Sequence, residues 1–382
     1  MTKFQRHAMM PEAAHDDHAR MGFTSALIKH LDAGVRPMLR PVYEQAVAPR
    51  LRASLGRDPT RHDIARAMTS VDGNRYWSTL RTDAQEMMYR SAEPMVDRQL
   101  PALITRAKKL SGRGLGSLQL DPILQVPRYL RAVDTHRLPG GYHSEVADDD
   151  VRAGAVFEES ITMYSMGNLG TNNDDPGQSI ARWLKSRYPT LRPRRILDMG
   201  CTIGHYTLPY VQVFPEAEVY AIDVAAPCLR FAHARANALG FAVHFSQQDA
   251  EATTFADGSF DLVTSRILLH EMSRRSVPGM LRECHRLLRA GGLMLHVDAP
   301  LFDELDAYQA SLRHWDAIAN NEPFMATVYD LPLERLYADA GFPRSKMFRA
   351  WIESDLRRRT NYDPRASRSG GRFFAVGAFK AD

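Results

Sequence analysis

The pattern of apolar and polar positions divides the chain into two parts. Between residues 22 and 110, apolar residues such as Phe23, Leu27 and Leu31 recur at the three- and four-residue spacing of amphipathic helices. From about residue 195 onward, short apolar runs alternate with helical segments, which is typical of a mostly parallel sheet covered by helices. We therefore predict an α/β domain preceded by a mainly helical one.

Composition along the chain indicates where these parts meet. Residues 1–20 are polar and Met-rich and are predicted to form a disordered tail, and residues 21–150 a helical N-terminal domain with a connecting arm. Residues 151–382 then form the α/β domain. The Gly- and Ser-rich run 111–117 is the clearest linker, and the Arg-rich run 357–372 is predicted to be a solvated hairpin loop.

The most informative segment begins at Arg195. An apolar strand ends at an acid, Asp198, and two glycines, Gly200 and Gly204, follow in a turn that opens a helix. A second apolar run ends at a second acid, Asp223. Strand, glycine turn, helix and acid-tipped strand describe the nucleotide-binding half of a doubly wound sheet, in which the second acid can bind ribose hydroxyls.

The glycine spacing favours one class of nucleotide. A dinucleotide site needs G-x-G-x-x-G, and that fingerprint is absent because Cys201 and Thr202 occupy the middle of the loop. An acid two residues before the first glycine is a poor neighbour for a diphosphate but a good one for a sulfonium and an ammonium group. Another nucleotide-binding Rossmann domain is the alternative.

The segment resembles motif I of the class I S-adenosylmethionine-dependent methyltransferases, usually D-x-G-x-G-x-G, with Thr202 where the family often has glycine. The resemblance covers roughly residues 175–382. A D-G-x-F-D-L-V string at 257–263, common in the family, supports it. It implies a Rossmann-like, doubly wound seven-stranded sheet and S-adenosyl-L-methionine as cofactor. The cofactor-binding residues that it implies are Asp198, Gly200, Cys201, Thr202, Gly204, Asp223, Val224, Asp249, Ala250 and Ser265.

A candidate base follows the fourth predicted strand. The string L-H-E-M-S at 269–273 resembles the L-H-D-W-S of plant-type O-methyltransferases, in which the histidine is the general base. We therefore expect His270 to take a proton from an oxygen acceptor. The alternative is a helix-entry residue that hydrogen-bonds its own backbone.

Aromatic residues supply candidates for the acceptor pocket. An insertion after the fifth strand carries Tyr308, Trp315 and Phe324, which are predicted to wall an apolar or aromatic acceptor. Tyr164 is the candidate lid residue, because it precedes the first helix of the α/β domain. Packing within their own domains is the alternative for all four.

Charge and cysteine content exclude other classes of partner. The net charge of +4 is too small to demand a nucleic acid, and no apolar run is long enough to span a bilayer. The three cysteines show no metal-ligand spacing, and His15 and His18 are more typical of a solvated tail than of a metal site. We expect a cytoplasmic protein without a metal.

These observations favour a methyltransferase of secondary metabolism that acts on a small hydrophobic or aromatic acceptor, on oxygen, by in-line displacement. The two-domain plan matches that of dimeric O-methyltransferases, so a homodimer through the N-terminal helices is a hypothesis. The alternatives are a carbon or nitrogen methyltransferase, an RNA or protein methyltransferase, and a protein that binds the cofactor without turnover.

Overall fold

The computed structural model describes residues 6–165, 167–359 and 371–381. Most of the Arg-rich run 357–372 lies outside these ranges. No helix in the described ranges is long and apolar enough to cross a membrane.

The N-terminal part is helical, as predicted. Short π-helical stretches join the first three helices, and α4 begins at a capping box in which Thr60 and Asp63 satisfy each other's backbone N–H groups. The helices of this part are α1 His15–Lys29, α2 Arg36–Val42, α3 Ala48–Leu55, α4 Arg61–Met68 and the 40-residue α5 Asp72–Ser111.

The beginning of the chain differs from the sequence prediction. Met9 is fully buried in the apolar cluster of the N-terminal helices, and the imidazole of His7 lies 3.3 Å from the buried carboxylate of Glu158. Helix α1 already starts at His15. From residue 6 onward, the segment predicted as a disordered tail therefore has a defined structure. Its methionines are buried, although the residues around them in the sequence are mostly polar.

The centre of the molecule is one sheet, whose eight described strands run in the order β1-β4-β3-β2-β5-β6-β8-β7. All neighbours pair in parallel except β8, which runs antiparallel to β6 and β7. The strands are β1 Ser117–Gln119, β2 Arg195–Met199, β3 Glu218–Asp223, β4 His244–Gln247, β5 Phe260–Arg266, β6 Leu288–Asp298, β7 Met347–Glu353 and β8 Arg372–Phe379.

Seven of these strands were predicted, and β1 is an addition from the segment predicted as a linker. It pairs with β4 at the sheet edge, with Ser117 opposite His244. Gly116 makes this approach possible, since a Cβ there would lie 2.0 Å from the Val243 carbonyl oxygen, and its φ of +68° is left-handed. The glycines therefore bring the chain onto the sheet.

Helices cover both faces of the sheet. Helices α7 and α10 pack against α5, so that the N-terminal helices and the sheet layer share one apolar cluster. The remaining helices are α6 Arg128–Arg131, α7 Arg152–Tyr164, α8 Asp175–Arg187, α9 Leu208–Val213, α10 Ala226–Leu239, α11 Val277–Leu287, α12 Ala307–Ala319, α13 Met325–Val328, α14 Leu333–Asp339 and α15 Asp355–Arg359.

The strand order reverses at β2, which lies between β3 and β5. In open parallel sheets the crevice at such a point, beyond the carboxyl ends of the strands, is where ligands bind. The residues that follow β2, β3, β4 and β5 therefore define the site.

Candidate active site

The loop after β2 is held close to the neighbouring strands by its backbone. Gly200 and Cys201 donate backbone hydrogen bonds of 2.8 and 3.0 Å to the carbonyl oxygen of Ile222. Gly200 has a φ of +72°, and a Cβ there would lie 2.9 Å from Cδ1 of Leu268, which follows β5. Glycine thus allows the β2 loop and the β5 turn to lie side by side.

Asp198 ends β2 as a buried carboxyl group. Its Oδ2 accepts a 2.5 Å hydrogen bond from the hydroxyl of Thr207, and no ion pair joins it to a basic side chain in the part of the chain that the structure describes. Burial raises the pKa of Asp198 to about 7. A positively charged ligand beside Asp198 would favour the ionised form of this carboxyl group.

Asp223 ends β3 and fixes the middle of the loop. Its carboxylate accepts backbone hydrogen bonds of 2.9 Å from both Thr202 and Ala225. Thr202 has a left-handed φ of +49°, so this side chain holds a conformation that glycine would adopt freely. Burial raises the pKa of Asp223 as well. Each carboxylate oxygen retains a lone pair for a ribose hydroxyl.

Eight of the ten predicted cofactor residues line one cavity. Two do not: Gly204 packs its backbone against Phe245 below the loop, and Ser265 is buried within the sheet, where its hydroxyl lies 2.7 Å from Nδ1 of His296. The eight that line the cavity are Asp198, Gly200, Cys201, Thr202, Asp223, Val224, Asp249 and Ala250. The acids at the ends of three strands and the glycine loop fit a nucleoside with a positively charged tail.

We call these eight residues the cofactor cradle. The cavity continues beyond the cradle and has a volume of about 910 Å³. Tyr164 and Tyr308 both line it, and Met88 and Tyr89 of α5 contribute to its wall. The helical N-terminal part therefore forms one side of the same space that the sheet opens into.

Two predicted acceptor residues lie elsewhere. Trp315 packs on Trp77, with ring centroids 4.2 Å apart, and its indole N–H donates a 2.6 Å hydrogen bond to Ser78. Phe324 meets the edge of the Tyr129 ring. Neither lines the cavity, so these aromatic side chains join α12 and its neighbours to the rest of the molecule.

His270 lies in the turn after β5 and lines the cavity. Its Nδ1 is 2.5 Å from Oδ1 of Asp298, which ends β6 and also accepts a 3.1 Å hydrogen bond from Tyr329. Burial lowers the pKa of His270, but the Asp298 carboxylate outweighs burial, so the pKa is well above its ordinary value. The side chain of His270 therefore pairs with Asp298, and not with its own backbone as the alternative prediction had it.

Around His270 lies a group of residues that the sequence analysis did not single out. We call His136, His270, Glu271 and Glu322 the His/Glu cluster, because one side-chain nitrogen or oxygen from each lies within 4.8 Å of the others. All four line the cavity. The cluster joins the connecting arm, the β5 turn and the insertion that follows β6.

The sequence carries little signal for the cluster. In the sequence, four of the eight described strands lie between His136 and His270, and Glu322 lies in an irregular turn after α12. Only the adjacency of His270 and Glu271 is visible in the sequence, which predicts His270 as a general base. Residues that are this far apart in the sequence show no regular spacing from which their contact in the fold could be predicted.

Comparison with known proteins agrees with this geometry. A family model described as a methyltransferase domain matches residues 196–292, which run from β2 into β6. Malonyl-[acyl-carrier protein] O-methyltransferase of Methylococcus capsulatus is 35% identical over 119 residues, covering 30% of this chain and 40% of the relative. Ubiquinone/menaquinone biosynthesis C-methyltransferase of Dinoroseobacter shibae is 31% identical over 164 residues, covering 41% and 62%.

The alignments therefore span about half the length of these relatives. Among solved structures, phosphoethanolamine N-methyltransferase 2 of Haemonchus contortus is 17% identical and covers 59% of each chain, with a TM-score of 0.43. The matched segment contains both acid-tipped strands, the glycine loop and the β5 turn. Residues 196–292 therefore form a methyltransferase domain of the class I S-adenosylmethionine-dependent family, whose cofactor is S-adenosyl-L-methionine.

Proposed function

We propose that this protein transfers a methyl group from S-adenosylmethionine to an oxygen atom of a small molecule held between the sheet and the N-terminal helices. The observation that carries the proposal is the continuity of one cavity of about 910 Å³, from Asp198 and Asp223 to Met88 and Tyr89. Donor and acceptor can then meet without leaving the protein.

The cradle residues divide the work of holding the cofactor. The Asp223 carboxylate accepts hydrogen bonds from ribose hydroxyls, and Asp249, at the end of the next strand, accepts from the adenine amino group. The Asp198 carboxylate stabilises the positive charge of the methionine portion. When bound, the cofactor supplies an already activated methyl group, so positioning in a dry space provides most of the acceleration.

The helical cover favours a small acceptor over a macromolecule. Residues from α2 and α5, together with the connecting arm, line the cavity on the side away from the sheet. Tyr308 closes part of this wall, where its ring stacks on Tyr43 with centroids 4.9 Å apart. An RNA or a folded protein would have to displace these packed helices to reach the cradle.

His270 is the proposed proton acceptor for an oxygen nucleophile. Asp298 holds its Nδ1, so its Nε2 is directed towards the His/Glu cluster at the cavity wall. This pairing of a ring with an orienting carboxylate is what a histidine base requires, and the Asp298 carboxylate that raises the pKa of His270 also makes its neutral form the stronger base. The named relatives methylate oxygen in one case and carbon in the other, so a carbon acceptor is the competing possibility.

Calorimetric titration with S-adenosylmethionine tests the cofactor part of the proposal. We expect binding to the unaltered chain and a loss of about 10-fold or more in Asp223→Ala, because the ribose hydroxyls lose their acceptor. Asp257→Ala, which removes an exposed acid that pairs with Arg286, is the matched control and should bind normally.

A turnover screen over phenols, carboxylic acids and amines, with a ¹³C-labelled methyl donor, then locates the new bond by NMR. If the labelled methyl group is bound to carbon in the product, the proposed oxygen acceptor is wrong, but the proposed methyl transfer still holds. In the same assay His270→Ala should lower turnover by about 10²- to 10⁴-fold, and an unchanged rate would remove His270 from the mechanism.

A further inference from the structure

We propose that the His/Glu cluster is a binding site for one divalent first-row transition-metal ion, such as Zn²⁺, Mn²⁺, Co²⁺ or Fe²⁺. The ion would lie in the wall of the acceptor cavity and be held by Nε2 of His136, Nε2 of His270 and carboxylate oxygens of Glu271 and Glu322. This site was not expected from the sequence.

The distances between the ligand atoms fit a single ion. Nε2 of His136 is 3.1 Å from Oε1 of Glu271 and 3.3 Å from Oε1 of Glu322. Nε2 of His270 is 3.4 Å from Oε1 of Glu271 and 3.6 Å from Oε2 of Glu322. Two atoms each about 2.1 Å from a metal are separated by about 3.0 Å at a right angle and about 3.4 Å at the tetrahedral angle.

Both imidazoles are oriented as metal ligands commonly are. The Nδ1 atom of His270 lies 2.5 Å from the Asp298 carboxylate, and the Nδ1 atom of His136 lies 2.6 Å from the hydroxyl of Tyr142. Partners on the far nitrogen fix the ring and leave Nε2 for the metal, an arrangement that recurs in histidine metal sites. The two imidazole rings, which come from distant parts of the chain, thus both direct Nε2 towards the centre of the His/Glu cluster.

A buried oxygen without a hydrogen bond gives independent support. Glu322 is only 2% exposed, and its Oε2 has no hydrogen-bond partner among the described residues. A buried carboxylate oxygen left in this way costs free energy, which a cation would recover.

The backbone beside two of the ligands is also strained. His136 has a left-handed φ of 58°, and Asn321, next to Glu322, has a φ of 55°. Non-glycine residues in this conformation cost about 1 kcal/mol or more and tend to occur at functional sites.

The donor atoms indicate the class of metal. Two imidazoles and two carboxylates suit zinc and the other first-row divalent ions, whereas Mg²⁺ and Ca²⁺ prefer oxygen alone and Cu⁺ prefers sulfur. Glu271 and Glu322, with Asp298 behind His270, place three carboxylates around two imidazoles in a largely buried site. A dication bound there would offset their negative charge.

The role of the ion rests on the proposed function. Leu268 packs against the cofactor loop at Gly200 and is two residues from His270, so the ion would lie near the donor. We propose that the ion ligates a hydroxyl or enol oxygen of the acceptor and lowers its pKa. The O–H proton passes to water, because Nε2 of His270, the proton acceptor proposed for the site without an ion, is then occupied as a ligand. The oxygen then bonds to the methyl carbon, and the carbon–sulfur bond breaks with its electron pair on sulfur.

Metal binding is tested on tag-free full-length protein stripped with a chelator. Titration with Zn²⁺ and with Co²⁺, followed by elemental analysis, should give one ion per chain, and Co²⁺ should show visible absorption bands of mixed nitrogen and oxygen ligation. His136→Gln and Glu322→Gln should each weaken binding by about 100-fold or more, and Asp298→Asn by about 10- to 100-fold.

His143→Gln is the matched control, because His143 lines the same cavity but lies outside the cluster. It should keep the full stoichiometry and the cobalt spectrum. Far-UV circular dichroism and titration with S-adenosylmethionine establish that each variant is folded, since none of these residues lies in the cradle.

The two proposals can fail separately. A folded chain that binds S-adenosylmethionine but no Zn²⁺, Mn²⁺ or Co²⁺ at micromolar concentration would overturn the metal site and leave the methyltransferase proposal standing. A chain that binds one ion but no S-adenosylmethionine would overturn the methyltransferase proposal and leave the metal site standing. An ion that persists in both His136→Gln and Glu322→Gln would place it elsewhere and also overturn the site.

Discussion

Single residues at the ends of β2, β3 and β5 carry most of the chemistry that we propose for this protein. Asp198 and Asp223 are acids whose pKa values burial raises, and neither forms an ion pair with a basic side chain among the described residues. Asp198 is therefore suited to a cationic ligand, whereas Asp223 holds the loop backbone and keeps lone pairs for hydroxyl groups. Their behaviour with pH follows from this.

The pKa of Asp198, raised to about 7, makes cofactor binding pH-dependent. The ionised form stabilises a cationic ligand, and the ionised fraction grows as the pH rises through that pKa. Affinity for S-adenosylmethionine should therefore increase about fivefold between pH 6 and pH 7, and binding should release a proton near pH 7. Calorimetry in buffers of different ionisation enthalpy measures both quantities.

Asp198→Asn is the control for this titration. It should bind more weakly and lose the pH dependence over that range, because no ionisable group remains at the position. A dependence that survives in Asp198→Asn would assign the titration to another group.

At the scale of elements, buried charges and aromatic pairs join the parts of the structure. Glu158 of α7 accepts a 2.6 Å hydrogen bond from Nε of Arg235 of α10 and lies 3.3 Å from His7. Both Glu158 and Arg235 are fully buried. This group links the first described residues to two helices of the sheet layer.

Glu158→Ala should destabilise the protein by about 3–5 kcal/mol, because Arg235 would remain buried without its carboxylate. Burial alone would raise the pKa of Glu158, but Arg235 and His7 lower it below its ordinary value. The stabilisation is thus present at neutral pH and is lost as the pH falls through the acidic range. Urea unfolding at several pH values measures it.

The matched control is Glu44→Ala, which removes an exposed partner of Arg40. It should change the free energy of unfolding by less than about 1 kcal/mol. An equal loss in both variants would contradict the special role of the buried pair.

Trp315 provides a second prediction at this scale. Because its ring packs on Trp77 and bonds Ser78 instead of lining the cavity, Trp315→Ala should lower stability by about 3 kcal/mol. The affinity for S-adenosylmethionine should not change at a temperature where the variant is folded. Ile318→Ala, at an exposed position of the same helix, is the control for stability. A loss of cofactor affinity in Trp315→Ala would return this residue to the ligand site.

At the scale of the whole molecule, the N-terminal helices and the sheet behave as one packed body. A single apolar cluster runs from Met9 and Trp77 through Phe231 to Ile203 in the cofactor loop. The same two parts enclose the cavity. We therefore expect their stabilities to be coupled.

Urea unfolding followed by circular dichroism and by tryptophan fluorescence should give one coincident transition. S-adenosylmethionine at 100 times its dissociation constant should shift both signals together, by about 2.7 kcal/mol. A separate early transition of helical signal, insensitive to the cofactor, would mean that the N-terminal helices fold independently. The homodimer expected from the sequence stays a prediction, which light scattering on the same samples tests.

By itself, the sequence determined the local features of this protein. The alternation of apolar strands with helices predicted seven strands, and the acids at Asp198 and Asp223 with the glycines between them predicted the family. Such signals are readable because a parallel sheet imposes short periods and because the cofactor loop is contiguous in the chain.

Tertiary structure decided which distant residues meet. It brought β1 to the sheet edge, packed Met9 into the core, turned Trp315 away from the cavity and gathered His136, Glu271 and Glu322 around His270. The residues that meet in these contacts are not separated by any regular spacing along the chain. They follow from how helices and inserted segments pack over the sheet, where burial selects among contacts that local sequence leaves equally possible.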